Sequence, residues 1–156
     1  MKNSNEIKIY FCKPAEFLKV VSLTIRAYNV PYKPDKMIIK ARETVEKIKE
    51  RTKLGTKILV AKRKNRILGA VRYRPIDKTQ LKLSRLAVLP RYRCKGVGSL
   101  LVDKVISIAK REGYKIVSLD VAEEKGLIPF YKNFGFKAVS RKKHHNHHDV
   151  CMEKKI

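Results

Sequence analysis

The sequence predicts an α/β (α+β) protein, a mixed sheet with helices laid against it, in the order β-α-α-β-β-β-α-β-α-β-β. Three observations predict this. Short β-branched runs alternate along the chain with apolar stripes at helical spacing. Two adjacent runs, residues 58–61 and 67–73, flank Lys64-Asn65-Arg66, so the sheet begins as an antiparallel hairpin. A strand, a glycine loop, a helix and another strand then follow between residues 81 and 121, the pattern of a parallel crossover. At 156 residues the chain reads as one domain, residues 7–156, able to bury roughly 70% of its unfolded surface without staples.

Each element has its own reason. Residues 7–11 read as the first strand, and Pro14 suits a helix start. Phe17, Leu18, Val21, Ile25 and Tyr28 recur at helical spacing, and Pro31 and Pro34 then interrupt the chain. Met37, Ile38, Ala41, Val45 and Ile48 mark a second helix that Gly55 can end. Residues 81–89 form the strand before the glycine loop. Val97, Leu101, Val105, Ile108 and Ala109 stripe the next helix, with Gly113 as its stop. Residues 116–121 are a buried strand, residues 127–134 a short helix ending at Gly135, and residues 136–140 and 150–152 a last strand pair.

The chain carries a formal net charge of +24. Such a surface attracts polyanions, and nucleic acid is the first class of partner to consider. The cations are spread from Lys2 to Lys155, however, without an aromatic RNA-binding pattern. No apolar run approaches the ~20 residues of a membrane span, and the first residues lack the apolar core of a signal peptide. Cys12, Cys94 and Cys151 form no C-x-x-C pair, which points to the reducing cytoplasm and away from disulfides or a cysteine zinc site.

The segment LSRLAVLPRYRCKGVGSLL, residues 83–101, is the most informative. An apolar strand stops at Pro90, a basic loop follows, and Gly96 and Gly98 open a helix. Backbone N–H groups at a helix start, together with its partial positive charge, make a site for phosphate. The spacing Arg93-x-x-Gly96-x-Gly98 is neither a P-loop nor a dinucleotide fingerprint, since Leu101 stands where a third glycine would be.

That spacing after an Arg-Leu-Ala-Val strand resembles the acetyl-CoA motif of the GNAT N-acetyltransferase superfamily. Phe130-Tyr131-Lys132-Asn133-Phe134-Gly135-Phe136 is similar to the family's F-Y-x-x-x-G-F segment, Ile67-Leu68-Gly69 to its third-strand start, and Met152-Glu153-Lys154 to its closing strand. The resemblance implies the GNAT acyl-CoA N-acyltransferase fold and acetyl transfer from acetyl-CoA to a primary amine by direct attack. It implies that the backbone of Leu86, Ala87 and Val88 pairs with the pantetheine arm and holds the acetyl carbonyl. Arg93, Cys94, Lys95, Gly96, Val97, Gly98 and Ser99 match the pyrophosphate loop, and Tyr131 matches the acid that protonates the departing thiolate. A phenol suits that step, because its ordinary pKa near ~10 lets it give and regain a proton. The other reading of Tyr131 is a packed core aromatic.

Two positions depart from the family. Glu124 stands where an asparagine is frequent, so a cofactor contact is lost there or Glu124 acts on the amine. Residues 80–89 contain no acid, where many members carry a glutamate base; Glu123, Glu124 or a water chain would have to take the proton.

Other constellations stand apart. His144, His145, His147 and His148 precede Asp149, and in an extended strand His145, His147 and Asp149 would share a face fit for zinc, though a solvent-exposed hairpin is the plainer reading and no metal is assigned. Cys94 between two cations is open to oxidation, which would block the loop. Lys33, Lys36, Lys40, Arg42, Lys47, Lys49 and Arg51 line the segment expected near the acceptor. They suggest an anionic acceptor, such as an acidic peptide or an aminoacyl-tRNA, although a small molecule also fits. The alternative class is a basic nucleic-acid-binding module on the same fold. Homodimers are common among such proteins and fit the resemblance.

Overall fold

The computed structural model describes residues 5–28, 43–145 and 147–156. Its strands are β1 (Ile7–Phe11), β2 (Lys57–Arg63), β3 (Arg66–Pro75), β4 (Gln80–Val88), β5 (Ile116–Ala122), β6 (Lys137–Lys143) and β7 (His148–Lys155). Its helices are α1 (Phe17–Ala27), α2 (Val45–Lys53), α3 (Val97–Arg111) and α4 (Ile128–Lys132). Short 3-10 turns lie at Pro14–Glu16, Pro90–Tyr92 and Glu123–Lys125. Among the described residues the elements follow the expected order. The sheet is mixed, with strand order β1-β2-β3-β4-β5-β7-β6. β4 and β5 run parallel, whereas the β1–β2, β2–β3, β5–β7 and β6–β7 pairs are antiparallel.

The chain divides into two compact units. The first comprises Met1–Tyr73 and Arg85–Lys104, the second Arg74–Ser84 and Val105–Ile156. In the first, α1 buries Phe17, Val20, Val21, Leu23 and Ala27 with Ile58, Val60, Ala70, Ala87 and Leu89 of the sheet side. Burying a side chain of this kind is worth about 1.5–3 kcal/mol. The expected α1 stripe is shifted by this face: Leu18 remains 68% exposed, and Val20 and Thr24 take the inward positions. Thr24 is tolerated inside because its hydroxyl donates to the Val20 carbonyl at 2.8 Å.

The second helix is legible only in its last part. Met37, Ile38 and Ala41 lie outside the described residues, whereas Val45 and Ile48 sit in α2. Thr44 caps α2 by accepting from the Lys47 N–H at 3.2 Å, and Ile48 is its buried anchor. The β2–β3 hairpin turns on Lys64 and Asn65, with Arg63 and Arg66 paired across it. Lys64 takes a left-handed φ of 55°, as a tight hairpin requires.

A buried ion pair holds the first unit at a point the apolar pattern does not reveal. Arg72 on β3 donates through Nη2 to both carboxylate oxygens of Glu43, at 2.7 and 2.6 Å. The two side chains are 5% and 1% exposed. A cation in the otherwise apolar run 67–73 needs such a partner, because an unpaired charge there is prohibitive. The pair fixes Glu43 and the α2 N-terminus against β3.

In the second unit, α3 carries Val105, Ile108 and Ala109 inward, as expected, while β5 buries Val117, Leu119 and Val121 and β7 buries Val150 and Met152. Strand β6 is exposed along its whole length at the edge of the sheet. Its four cations, Lys137, Arg141, Lys142 and Lys143, discourage pairing with another chain.

Breaking the Arg72–Glu43 pair leaves an uncompensated buried charge, so Glu43→Ala is expected to lower stability by about 3–5 kcal/mol. A urea midpoint that falls with an unchanged slope reads this out. The double variant Glu43→Leu/Arg72→Met should recover most of the loss, since no charge is then left buried.

Candidate active site

The loop expected to take phosphate, residues 93–99, lies wholly in the first unit. Its geometry starts at Arg85, whose φ of 51° breaks the extended run of β4. The parallel β4–β5 ladder is registered over Gln80, Leu81 and Lys82, and β4 continues past it to Val88. Beyond the kink, Leu86 gives its carbonyl to the Tyr28 hydroxyl at 3.2 Å, and the Leu89 N–H donates to the Leu68 carbonyl at 3.0 Å. These two bonds hold the Leu86, Ala87 and Val88 segment between α1 and β3.

After the turn Pro90–Tyr92, the chain passes through two left-handed residues, Cys94 at φ 58° and Gly96 at φ 84°. Gly96 suits this conformation, whereas Cys94 adopts it at a cost of about 1–2 kcal/mol. The first intrahelical bond of α3 runs from the Leu100 N–H to the Gly96 carbonyl at 3.0 Å. The N–H groups of Val97, Gly98 and Ser99 therefore precede any helical acceptor and are the natural donors to an anion.

Gly69 on β3 permits this helix start to seat where it does. A Cβ there would lie 3.0 Å from the Ala87 carbonyl, 3.0 Å from Val97 Cγ1 and 3.2 Å from Leu101 Cδ1. Val97 is buried beneath the loop. The third-strand match at Ile67-Leu68-Gly69 thus has a packing reason.

The loop cations are used differently from a plain phosphate clamp. Arg93 donates from Nη2 to the Ala27 carbonyl at the C-terminus of α1. That carbonyl is among the unpaired acceptors of a helix end, and a cation is favoured there. Arg93 thereby ties the loop to α1, a role the sequence does not announce. Lys95 lies exposed, with Nζ 6.0 Å from the Tyr92 ring centre. Arg63 and Arg66 approach the same ring at 5.8 and 5.7 Å. Tyr92 belongs to an open cleft of about 810 Å³, lined also by Lys19, Arg26, Lys64 and Leu89.

The cysteines are all free. Cys94 is exposed in the loop, and burial pushes the Cys12 thiol up to about 11.

The second unit carries Tyr131 and Glu124. Tyr131 sits on α4, 5% exposed. Phe130 meets it edge-on at 5.0 Å and Phe136 at 5.9 Å, and Phe134 packs on Phe130 at 5.2 Å. The Tyr131 carbonyl accepts from the N–H groups of Phe134 and Phe136 at 3.0 and 3.3 Å. The ring is therefore part of the packing as well as the bearer of a phenol.

Glu124 lies in the 3-10 turn after β5 and is exposed. Its carboxylate accepts the His148 N–H at 3.0 Å and contacts His148 Nδ1 at 2.9 Å. The hydrogen bond from the His148 side chain pushes its carboxyl down to about 2. Glu123 next to it accepts from Arg141 Nε and Nη2 at 2.9 and 2.6 Å. Both acids thus anchor the β6–β7 hairpin.

Among the described residues, two groups of side chains could hold a metal ion: His144, His147 and Asp149, and Glu123, Glu124 and His148. The sequence expectation of His145 with His147 and Asp149 is not the trio that meets. The His144 N–H donates to the His147 carbonyl at 2.7 Å, so the turn brings residues 144 and 147 together in place of alternating strand positions.

Residues 18–136 match the model of the Acetyltransferase (GNAT) family. The chain belongs to the GNAT acetyltransferase family. Among curated relatives, it is 41% identical over 63 residues to the uncharacterized N-acetyltransferase MJ1207 of Methanocaldococcus jannaschii, and 37% identical over 60 residues to the uncharacterized N-acetyltransferase CgeE of Bacillus subtilis. These matches cover 39% and 38% of this chain, and only 28% and 23% of the two relatives' own lengths. Among solved structures, the PaiA N-acetyltransferase of Thermoplasma acidophilum in complex with coenzyme A superposes with a TM-score of 0.81 at 20% identity, covering 97% of this chain and 99% of that one. YncA of Salmonella typhimurium with its cofactor acetyl-CoA superposes with a TM-score of 0.74 at 18% identity, over 97% and 94%. The fold is therefore the GNAT fold.

Within this GNAT chain the Glu124–His148 contact makes a pH prediction. The carboxyl is depressed from 4.5 to about 2, so the contact stabilises the fold above pH 4.5 and is lost as pH falls through that window. Glu124→Gln should flatten the acid limb of a stability-against-pH curve relative to the unsubstituted protein. Identical acid limbs for the two proteins would contradict the contact.

Proposed function

We propose that this chain is an acetyl-CoA-dependent N-acetyltransferase acting by direct attack of a primary amine in a ternary complex. The observation that carries the reading is the run of backbone N–H groups at residues 97–99, opened by left-handed Gly96 in the family's Arg93-x-x-Gly96-x-Gly98 spacing. These donors and the positive end of α3 suit a pyrophosphate. The backbone of Leu86, Ala87 and Val88 suits the amide-rich pantetheine arm, which can add as an extra strand. A Val88 N–H aimed at the thioester carbonyl would polarise it.

Acetyl-CoA supplies an activated acyl group. The amine nitrogen forms its bond to the acyl carbon as the carbon–sulfur bond breaks, and the thiolate takes a proton from the Tyr131 phenol. Most of the acceleration then comes from holding amine and thioester in line. Glu124, held ionised by His148, suits electrostatic attraction of the incoming ammonium better than proton storage. A water chain to solvent serves for the proton.

An anionic acceptor is favoured by the exposed cations Lys47, Lys49 and Arg51 on α2, while Lys33, Lys36, Lys40 and Arg42 fall outside the described residues. The second reading, a nucleic-acid-binding module or a tRNA-directed acetyltransferase, is favoured by the cleft that Tyr92 lines together with Lys19, Arg26, Arg63, Lys64 and Arg66, of which Arg63 and Arg66 approach the ring. A cytoplasmic setting fits three free cysteines. Among the described residues, no helix is long and apolar enough to cross a membrane.

Calorimetry at about 150 mM salt, where weak surface attraction is damped, tests the cofactor. Micromolar binding of acetyl-CoA, weak binding of ATP and loss of binding in Gly98→Glu are expected. Equal, weak binding of both ligands by both proteins would reduce the loop to a turn and put the nucleic-acid reading first. With an acceptor in hand, Tyr131→Phe should lower kcat by about 10²- to 10⁴-fold with little change in KM for acetyl-CoA. Full turnover across the pH range would remove Tyr131 as the acid.

A further inference from the structure

The histidine-rich turn between β6 and β7 has no part in the proposed transfer, yet its side chains converge. Nε2 of His144 lies 3.1 Å from one oxygen of Asp149, and Nε2 of His147 lies 3.2 Å from the other. The two imidazoles stand 4.6 Å apart, inclined by 12°. The ligand atoms of all three residues fall within 4.8 Å of one another. Their side chains are 36%, 19% and 34% exposed, so the cluster is partly desolvated but reachable from solvent.

These spacings match a coordination polyhedron. Zinc binds imidazole nitrogen and carboxylate oxygen at about 2.0–2.1 Å, which places tetrahedral neighbours about 3.3–3.4 Å apart. The His144 Nε2 to Asp149 Oδ2 distance already lies within a few tenths of an ångström of one such edge, and His147 Nε2 stands as close to the other oxygen of the same carboxylate. The backbone holds the trio in place: the His144 N–H to His147 carbonyl bond closes the turn, and Asp149 is paired with Lys142 on β6 and Ala122 on β5. A surface of +24 repels loose cations, so any divalent ion retained here is retained by direct ligation.

We propose that His144, His147 and Asp149 form a mononuclear zinc site that clamps the β6–β7 turn, with the fourth position left to water. Two imidazoles and one carboxylate are a donor set that zinc accepts in tetrahedral geometry. The competing occupants of the same space are protons, which would give a plain imidazolium–carboxylate cluster. Because the ligands must be unprotonated, zinc affinity falls as the solution is acidified.

The test uses the full chain after chelator treatment, with Zn²⁺ titrated calorimetrically and Co²⁺ followed by its visible absorption. One equivalent bound at micromolar affinity or tighter, with the intense absorption of tetrahedral Co²⁺, is expected. His144→Ala and Asp149→Asn should each weaken binding at least ~10-fold, while far-UV circular dichroism stays unchanged. His145→Ala should bind as the unsubstituted protein does. No stoichiometric binding would overturn the site and leave a proton-bridged cluster. Loss in His145→Ala with retention in His144→Ala would also overturn it. So would binding that survives both ligand variants but disappears in His148→Ala, which would move the ion to the Glu123–Glu124 pair.

Discussion

The distance between β3 and the start of α3 governs the rest of this molecule's site. Gly69 has no side chain, and Val97, Leu101 and the Ala87 carbonyl close over the space where a Cβ would be. That contact fixes the axis of α3 and therefore the direction in which the Val97, Gly98 and Ser99 N–H groups point. It also fixes how the chain must climb from β4 to the helix, through left-handed turns at Cys94 and Gly96. A methyl group at Gly69 would force a shift of a few tenths of an ångström in packed side chains, and interiors at native density resist such shifts. The glycine loop is thus held from beneath by packing.

The cations of this very basic chain fall into different physical roles. One, Arg72, is buried and matched by Glu43. Arg93 closes the end of α1. Arg63, Arg66 and Lys95 gather on the face or rim of Tyr92. Others, such as those of β6, are solvated and guard an edge strand. The anions are few and are correspondingly engaged: Glu16 with Lys62, Asp120 with Lys82, Glu123 with Arg141, Glu124 with His148. Exposed pairs of this kind add little stability each, but they orient the hairpin and turn that carry them.

Most elements were legible because periodicity and glycine placement agreed with each other. The α3 stripe of Val97, Leu101, Val105, Ile108 and Ala109 is buried as its spacing implies, and the Arg93-x-x-Gly96-x-Gly98 segment forms the expected loop between a strand and a helix. What the pattern missed depended on partners far away in sequence or on turns. Leu18 looked like a core residue beside Phe17, but the helix face turns it outward. The Arg85 kink carries no glycine to announce it. Glu43 looks no different from the other acids until Arg72 is found buried against it, although a charge inside the run 67–73 was the clue. His145 was grouped with His147 and Asp149 on strand alternation, which fails where a turn brings His144 across instead. Arg93 was read toward phosphate, and its bond to Ala27 could not be foreseen from spacing.

The central claim is that backbone donors at the start of α3 bind the anionic end of acetyl-CoA. Amide chemical shifts of the full chain, followed by nuclear magnetic resonance during titration with coenzyme A, test it most directly. The account predicts that the largest shifts fall on Gly96, Val97, Gly98 and Ser99 and on Leu86, Ala87 and Val88. Shifts confined to the cleft of Lys19, Arg63, Lys64 and Arg66, with residues 96–99 unmoved, would contradict it.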